Sequence, residues 1–240
     1  RFSPLKDKEP QDIDMMIVRE NTEGLYAGVG GFLKEGTKDE VATQEMINTY
    51  KGVERVTRYA YEYAQKRNDE KKLTLCDKSN VLTYAHDLWQ RVFEEVGAKY
   101  EDVTMDHMLV DAITMKMVRN PEDFDTIVTC NMFGDIITDL GAEIQGGMGL
   151  AVSGNINPEG VSMFEPVHGS APDIAGENIA NPLAAILAAG MMVKELGWEA
   201  EGKKIETAVQ RSLQNDYSTP DMGGNLNTDE VGDHICSILE

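Results

Sequence analysis

The sequence has 240 residues, of which 42 are Asp or Glu and 22 are Lys or Arg, so the formal net charge at pH 7 is −20. This charge argues against nucleic acid and anionic membranes as partners, because both require a basic surface. A hydrophobic content of 41% and a charged content of 27% are ordinary for a globular protein with one large core or two smaller ones.

Apolar runs rich in β-branched residues alternate with segments of helical period, which indicates an α/β fold with much parallel strand pairing. The predicted strands are 14–18, 73–76, 103–110, 125–130 and 162–164. The predicted helices are 44–67, 88–96, 133–144, 182–196, 203–214 and 228–239. Residues 28–39 are expected to form a hairpin or an exposed arm, and the stretch 146–160 is expected to cross between two lobes.

The apolar stretches and the cysteines bear on whether the protein is a membrane protein, a secreted protein or a cytoplasmic one. The longest apolar stretch, 182–193, is too short to span a bilayer and is predicted to be a buried helix. No stretch has the order of residues that marks a secretory signal. Cys76, Cys130 and Cys236 are widely spaced, which favours neither a disulfide framework nor a zinc site, and two of them are expected to be buried. A reducing, cytoplasmic setting is therefore predicted.

Two aspartates, Asp135 and Asp139, lie four residues apart and share one face of a predicted helix, where their charges repel each other. On spacing alone a solvated acidic face is the more frequent meaning. The pair follows a buried strand, however, and Asp111 follows the preceding strand, at the edge where open α/β sheets bind ligands. Three carboxylates in such a place suit Mg²⁺ or Mn²⁺ rather than zinc.

Two further motifs also follow strands. Lys78 lies in the run CDKSNV and could act as a general base if nearby positive charge favours its neutral form, or it could be a surface lysine paired with Asp77. In the run VRENTEGLY, Arg19 offers a planar fork to a carboxylate and Tyr26 offers a phenolic proton. The alternative for this run is a surface pair of Arg19 with Glu20 and a tyrosine that packs on the hairpin.

A fourth motif, EPVHGSAPDIAG at 165–176, surrounds His168 with small residues. Such a loop lets the backbone approach a ligand closely, and Asp173 could accept hydrogen bonds from ribose hydroxyls. The motif is not a G-x-G-x-x-G loop, so the usual dinucleotide fingerprint is absent from it. A structured loop around a buried histidine is the alternative.

Taken in order, RENTEGLYAG, DKSNVL, VDA, NMFGDIITDL and EPVHGSAPDIAG resemble the β-decarboxylating dehydrogenases, which are the isocitrate/isopropylmalate dehydrogenase family. The resemblance covers essentially the whole chain. It implies a two-lobe α/β fold with a mixed parallel and antiparallel sheet, in which the first part of the cofactor lobe is absent. Residues 1–146 would form the substrate, metal and dimerisation domain, with an arm near 28–42, and residues 147–240 the C-terminal part of the dinucleotide-binding domain. Family members carry a further stretch of about a hundred residues before the first motif, so the chain is expected to be truncated.

The resemblance also implies roles for individual residues. Asp111, Asp135 and Asp139 would bind Mg²⁺ or Mn²⁺, and Asp111 would be a catalytic residue as well. Lys78 would be the general base for the substrate hydroxyl, and Tyr26 the acid that reprotonates the enol. The implied substrate-binding residues are Arg19 and Asn80. The implied cofactor-binding residues are Glu165, His168, Gly169, Ser170, Ala171, Asp173 and Asn181. An acid at position 173 implies NAD, because it would repel the 2′-phosphate of NADP.

Within the family, the segments GVGG, EVA and NT near the arm and SGNI at 153–156 are most similar to members that act on 3-isopropylmalate. The expected reaction is therefore the oxidative decarboxylation of 3-isopropylmalate to 2-oxoisocaproate, a step of leucine biosynthesis. The run NTEG is shared with members that act on homoisocitrate, isocitrate and tartrate or D-malate, which stay as alternatives. An alternative of another class is a non-catalytic regulatory subunit or an inactive fragment. The resemblance also implies a homodimer in which Lys78 and Asp111 act in the partner's site.

Overall fold

A computed structural model describes residues 2–67 and 70–239. By internal packing the chain forms two units, one from Leu5 to Gly141 and the other comprising the first few residues and those from Ala142 onward. The functional assignment of the two expected domains, 1–146 and 147–240, stays a prediction. No helix among the described residues is both long and apolar enough to cross a membrane.

The first unit alternates strands and helices, as the sequence predicts. Its strands are β1 (Met16–Arg19), β2 (Gly30–Leu33), β3 (Val41–Gln44), β4 (Lys72–Asp77), β5 (Thr104–Leu109) and β6 (Thr126–Thr129). Its helices are α1 (Tyr50–Arg67), α2 (Ala85–Gly97), α3 (Val110–Arg119) and α4 (Asn131–Gln145), the last of which continues into the second unit. This order confirms the predicted α/β class.

Four strands of this unit form one parallel sheet in the order β1-β6-β4-β5. Successive side chains of a strand point to opposite faces, so β4 places Leu73 and Leu75 in the core that α1 and α2 cover. On α3, Ile113 and Met117 are fully buried, four residues apart. Because the strands are parallel, their carboxyl ends meet at one edge of the sheet.

The start of one helix and the presence of another in this unit differ from the sequence prediction. The helix predicted over 44–67 begins only at Tyr50, because Gln44 belongs to β3. Its start is fixed by Thr49, whose Oγ1 accepts a hydrogen bond from the Gly52 N–H at 3.0 Å and whose own N–H donates to Glu23 at 2.7 Å. Helix α3 was not predicted, since the alternating pattern of β5 runs directly into it.

The expected arm is an antiparallel hairpin in which Gly30 pairs with Gln44 and Leu33 pairs with Val41. All residues of both strands are exposed, including Phe32, which is 63% exposed. A two-stranded hairpin is at best marginally stable alone in water.

The second unit contains β7 (Val152–Asn155), β8 (Met163–Pro166), α5 (Leu183–Glu195), α6 (Glu199–Gln214) and α7 (Thr228–Leu239). The two strands pair antiparallel, and β7 lies within the stretch expected to be a crossing. Asn227 caps α7, because its Oδ1 accepts the Glu230 N–H at 2.9 Å while its N–H donates to the Glu230 carboxylate at 2.9 Å. The core of the helices is formed by Leu183, Ala208, Val209, Val231 and Ile235.

The cysteines are free thiols, and Cys76 and Cys130 are buried whereas Cys236 is exposed. This confirms the expectation of two buried thiols. Burial raises the pKa of Cys76 to about 12 and that of Cys130 to about 11, so both stay protonated at neutral pH.

Candidate functional site

The carboxyl edge of the parallel sheet carries several of the residues that the motifs single out. Arg19 ends β1, Lys78 follows β4, Asp111 follows β5 in the first turn of α3, and Asn131 follows β6 as the first residue of α4. Open α/β sheets bind their ligands at this edge. The fold therefore positions these four side chains by the ends of four neighbouring strands.

Arg19, Tyr26 and Asp135 form one cluster at this edge. The Arg19 guanidinium lies 2.9 Å from Asp135 Oδ1, and the Tyr26 hydroxyl donates to Asp135 Oδ2 at 2.8 Å. The Arg19 guanidinium also lies over the Tyr26 ring, 5.5 Å from its centroid. Arg19 therefore pairs with Asp135, and Glu20 forms its ion pair with Arg55 instead.

Helix α4 holds Arg19 in place. The Arg19 Nε donates to the Asn131 carbonyl at 2.9 Å, and Nη2 donates to the Asn131 side-chain oxygen at 2.7 Å. Position 134 must be glycine for this approach, because a Cβ there would lie 2.5 Å from Arg19 Cγ. Much of the guanidinium is thus fixed by the protein before any carboxylate of a ligand arrives.

Tyr26 is 60% exposed and keeps its proton. Its hydrogen bond to the Asp135 carboxylate raises the pKa of the phenol above its ordinary value, more than the neighbouring Arg19 lowers it. A protonated phenol at the sheet edge is the chemistry that an acid catalyst needs.

Lys78 and Asp111 form a second cluster. The Lys78 ammonium lies 2.8 Å from Asp111 Oδ2, and this hydrogen bond lowers the pKa of the Asp111 carboxyl. The alternative pairing of Lys78 with Asp77 is not formed, because the Asp77 carboxylate contacts Ser79 and His107 instead. Lys78 thus belongs to the sheet edge rather than to the solvated surface.

The described part of one chain does not gather the three predicted metal ligands. Asp135 lies in the first cluster, Asp139 is exposed one turn further along α4, and Asp111 lies in the second cluster. No group of three or more His, Cys, Asp or Glu side chains among the described residues is arranged to hold a metal ion. Asn80 is exposed in the turn after Lys78. The metal set and the substrate role of Asn80 stay predictions.

Sequence reasoning missed two acids that shape the loop between Arg19 and Tyr26. Glu20 is 3% exposed, and its carboxylate accepts the backbone N–H groups of Thr22 at 3.0 Å and Glu23 at 2.8 Å. Glu23 in turn binds Thr49 at the start of α1. The run RENTEG is polar throughout, and nothing in it distinguishes these structural carboxylates from ligand-binding ones.

The predicted cofactor residues lie in the second unit, on β8 and the loop after it. Glu165 is on β8 and its carboxylate accepts a hydrogen bond from Asn155 at 3.2 Å, whereas His168, Gly169, Ser170, Ala171 and Asp173 are exposed. The alternative of a structured loop around a buried histidine is therefore not what this motif forms at His168. Ala171 has a positive φ of 42°, which turns the chain sharply before the Pro172–Ile174 turn.

Asn181, the last predicted cofactor residue, is fixed on both sides of its amide. Its Oδ1 accepts the Leu183 N–H at 2.9 Å at the start of α5, and its Nδ2 donates to Asp221 at 2.9 Å. Sequence reasoning did not single out Asp221, which lies forty positions away.

The side chains at the sheet edge fit a divalent metal, and those in the loop after β8 fit the ribose of NAD. Asp111, Asp135 and Asp139 supply hard carboxylate oxygens, the ligands that Mg²⁺ and Mn²⁺ prefer. The exposed Asp173 carboxylate and the small residues around it offer acceptors and close backbone approach for a ribose.

A family model described as isocitrate/isopropylmalate dehydrogenase matches residues 1–235. The chain is 55% identical over 236 residues to the 3-isopropylmalate dehydrogenase of Thermobifida fusca, covering 98% of this chain and 66% of that protein. It is 52% identical over 240 residues to the 3-isopropylmalate dehydrogenase of Corynebacterium kroppenstedtii, covering 99% and 67%. The chain thus spans about two thirds of the length of these relatives.

Among solved structures, the isocitrate dehydrogenase of Methylococcus capsulatus superimposes with a TM-score of 0.90 at 39% identity. The superposition covers 100% of this chain and 70% of that one. It confirms the expected isocitrate dehydrogenase-like fold.

Proposed function

The chain belongs to the isocitrate/isopropylmalate dehydrogenase family, and we propose that the complete protein oxidises and decarboxylates 3-isopropylmalate to 2-oxoisocaproate with NAD and a divalent metal. The observation that carries this proposal is the 55% identity to a relative named 3-isopropylmalate dehydrogenase. The Tyr26–Asp135–Arg19 and Lys78–Asp111 clusters at one sheet edge support it. A cytoplasmic place in leucine biosynthesis follows from this assignment.

Four residues of the chain have separate roles in the proposed reaction. Arg19 binds a substrate carboxylate, because a guanidinium offers parallel donors to such a group, and Asn80 contributes a polar contact. Lys78, in its neutral form, accepts the hydroxyl proton as the alcohol is oxidised. Tyr26 donates its phenolic proton to carbon after carbon dioxide leaves, and its raised pKa keeps that proton available.

Two groups would supply the rest of the chemistry. Bound NAD would supply the hydride acceptor, and a divalent metal would supply Lewis-acid stabilisation of the negative charge that develops on oxygen. Asp135, Asp139 and Asp111 would hold the metal, while Glu165, His168 to Ala171, Asp173 and Asn181 would hold the adenosine part of NAD. Asp173 selects NAD because its charge repels a 2′-phosphate.

We further propose that the enzyme is a homodimer in which Lys78 and Asp111 of one copy complete the site formed by Tyr26 and Asp135 of the other. The separation of the two clusters in the described part of one chain supports this division. On α3, Met115 lies four residues after Asp111 on the same face and is 59% exposed. The exposed hairpin offers a second surface for the partner.

The test is NADH formation by the complete protein with Mn²⁺ and NAD, offered 3-isopropylmalate, isocitrate, homoisocitrate, tartrate and D-malate in parallel. We expect a metal-dependent signal with 3-isopropylmalate, and none when Lys78 is replaced by Met. A signal with another of these acids would move the substrate assignment within the family. A folded protein that is inactive with all five would instead support a regulatory subunit.

A further inference from the structure

The turn that carries Lys78 is held through its backbone. The Lys78 carbonyl accepts the N–H groups of Val81 at 3.0 Å and Leu82 at 2.9 Å. The Lys78 N–H donates to Nδ1 of His86 at 2.9 Å. Both polar groups of this residue's main chain are therefore engaged, which leaves the side chain to extend from a fixed base toward Asp111.

His86 reaches this position from the first turn of α2. Its side chain is fully buried, and its ring lies edge-on to the ring of Phe133 with centroids 5.5 Å apart. Its own N–H donates to the Leu82 carbonyl at 2.9 Å, so the helix and the Lys78 turn are joined twice. Neither the sequence motifs nor the family resemblance singled out this histidine.

The protonation state of His86 suits the role of acceptor. Burial lowers the pKa of its imidazole to about 4, so the ring is neutral at physiological pH although Asp77 opposes the shift. Nδ1 accepts the Lys78 N–H, so Nε2 carries the proton. That Nε2 is buried and has no hydrogen-bond partner among the described residues.

The other side of the turn is fixed by Asp77. This carboxylate is buried, and its Oδ1 accepts hydrogen bonds from the Ser79 N–H and hydroxyl at 3.1 Å each. His107 on β5 lies 2.9 Å from the same oxygen, and Gln90 on α2 donates to the Ser79 hydroxyl at 2.8 Å. Asp77, the last residue of β4, thus anchors the turn, while the Lys78 ammonium group lies 2.8 Å from Asp111 Oδ2.

We propose that His86 is a positioning residue for the general base, holding the Lys78 backbone so that the Lys78 Nζ, as a neutral amine, stands where it can accept the substrate proton. This inference rests on the proposed function of Lys78. Proton transfer needs hydrogen-bond distance between base and hydroxyl, and a displacement of about 1 Å at a reacting group can cost about a hundredfold in rate.

Two variants of the complete protein separate positioning from packing. His86→Asn keeps an acceptor, because Asn Oδ1 and His Nδ1 are both attached to Cγ. His86→Leu fills similar space without an acceptor. We expect kcat with 3-isopropylmalate to fall about a hundredfold in the leucine variant with little change in KM, and to stay within about threefold of wild type in the asparagine variant.

A second measurement reads the backbone bond without cofactor, metal or substrate. Hydrogen exchange should show the Lys78 amide exchanging at least about tenfold faster in His86→Leu than in wild type or His86→Asn. Thermal melts of the three proteins provide the stability control, because a loss of kcat in proportion to the loss of Tm in both variants would mean a structural role only.

The outcomes distinguish the two proposals. Wild-type kcat in His86→Leu, or equal losses in both variants, would overturn the positioning role. Equal exchange of the Lys78 amide in all three proteins would overturn the backbone bond itself. If the wild-type protein oxidises none of the acids, the proposed function fails, and the positioning role of His86 in catalysis falls with it.

Discussion

Acidification should destabilise the first unit through His86. The pKa of His86 is lowered from 6.5 to about 4 by burial, so the unfolded chain binds more protons than the folded one between these values. Stability is therefore full above the unfolded pKa and is lost as the pH falls toward 4. Between about pH 7.5 and pH 5 this linkage amounts to about 2 kcal/mol, at 1.36 kcal/mol for each pKa unit.

Urea unfolding at a series of pH values measures this loss. The chain has two tryptophans, of which Trp89 is buried on the same helix as His86 and Trp198 is 60% exposed in the second unit. In a Trp198→Phe background, the fluorescence of Trp89 therefore reports the unfolding of the unit that contains His86. The comparison protein is His86→Asn, which has no titrating group at this position.

The quantity to follow is the difference in unfolding free energy between the two proteins. Carboxyls whose pKa is lowered by a lysine, such as Asp111 beside Lys78 and Asp102 beside Lys71, titrate in both proteins and cancel. We expect the wild type to lose about 2 kcal/mol relative to His86→Asn between pH 7.5 and pH 5. Parallel pH curves for the two proteins would refute the reasoning, because they would mean that the His86 site admits a charged ring.

Three further predictions concern stability and turnover. Asp125→Asn should lower the unfolding free energy by about 2 kcal/mol in urea melts, because Arg67 loses its buried carboxylate partner and keeps the exposed carboxylate of Asp14; an unchanged midpoint would contradict this. Tyr26→Phe should leave the unfolding free energy within about 0.5 kcal/mol but lower kcat at least about a hundredfold, and wild-type kcat would remove its role as acid. Raising NaCl from about 0.05 M to about 1 M should raise the urea midpoint, because the net charge of −20 repels itself; a fall would argue against this.

Much of the fold follows from patterns in the sequence. The alternation of β-branched runs with helical periods predicted the four parallel strands and most helices, because burial on one or both faces leaves that pattern. Helix α3 was missed because an alternating strand, β5, passes directly into it without a loop. The start of α1 lies later than predicted because it is set by Thr49, whose N–H donates to Glu23, a residue distant in sequence.

The candidate site was predictable only in part, for a related reason. Arg19 is the last residue of β1, Tyr26 lies in the loop after it, and Asp135 follows β6. The motifs mark these strand ends, and the three side chains meet there. The sequence does not show that Glu20 and Asp77 hold their loops by accepting backbone N–H groups, because such a carboxylate looks in sequence like any other acid. His86 lies in the run YAHDLW, where a lone histidine on an amphipathic helix gives no sign that it receives the Lys78 N–H.

The most direct test of the central claim uses two variants that are each expected to be inactive. Lys78→Met and Tyr26→Phe, denatured together and refolded, should regain about a quarter of wild-type activity with 3-isopropylmalate, because half of the dimers are mixed and each contains one intact site. Either variant refolded alone provides the control. Recovery near a quarter would support a decarboxylating dehydrogenase whose site is shared between two copies, whereas no recovery from well-folded mixed dimers would contradict it.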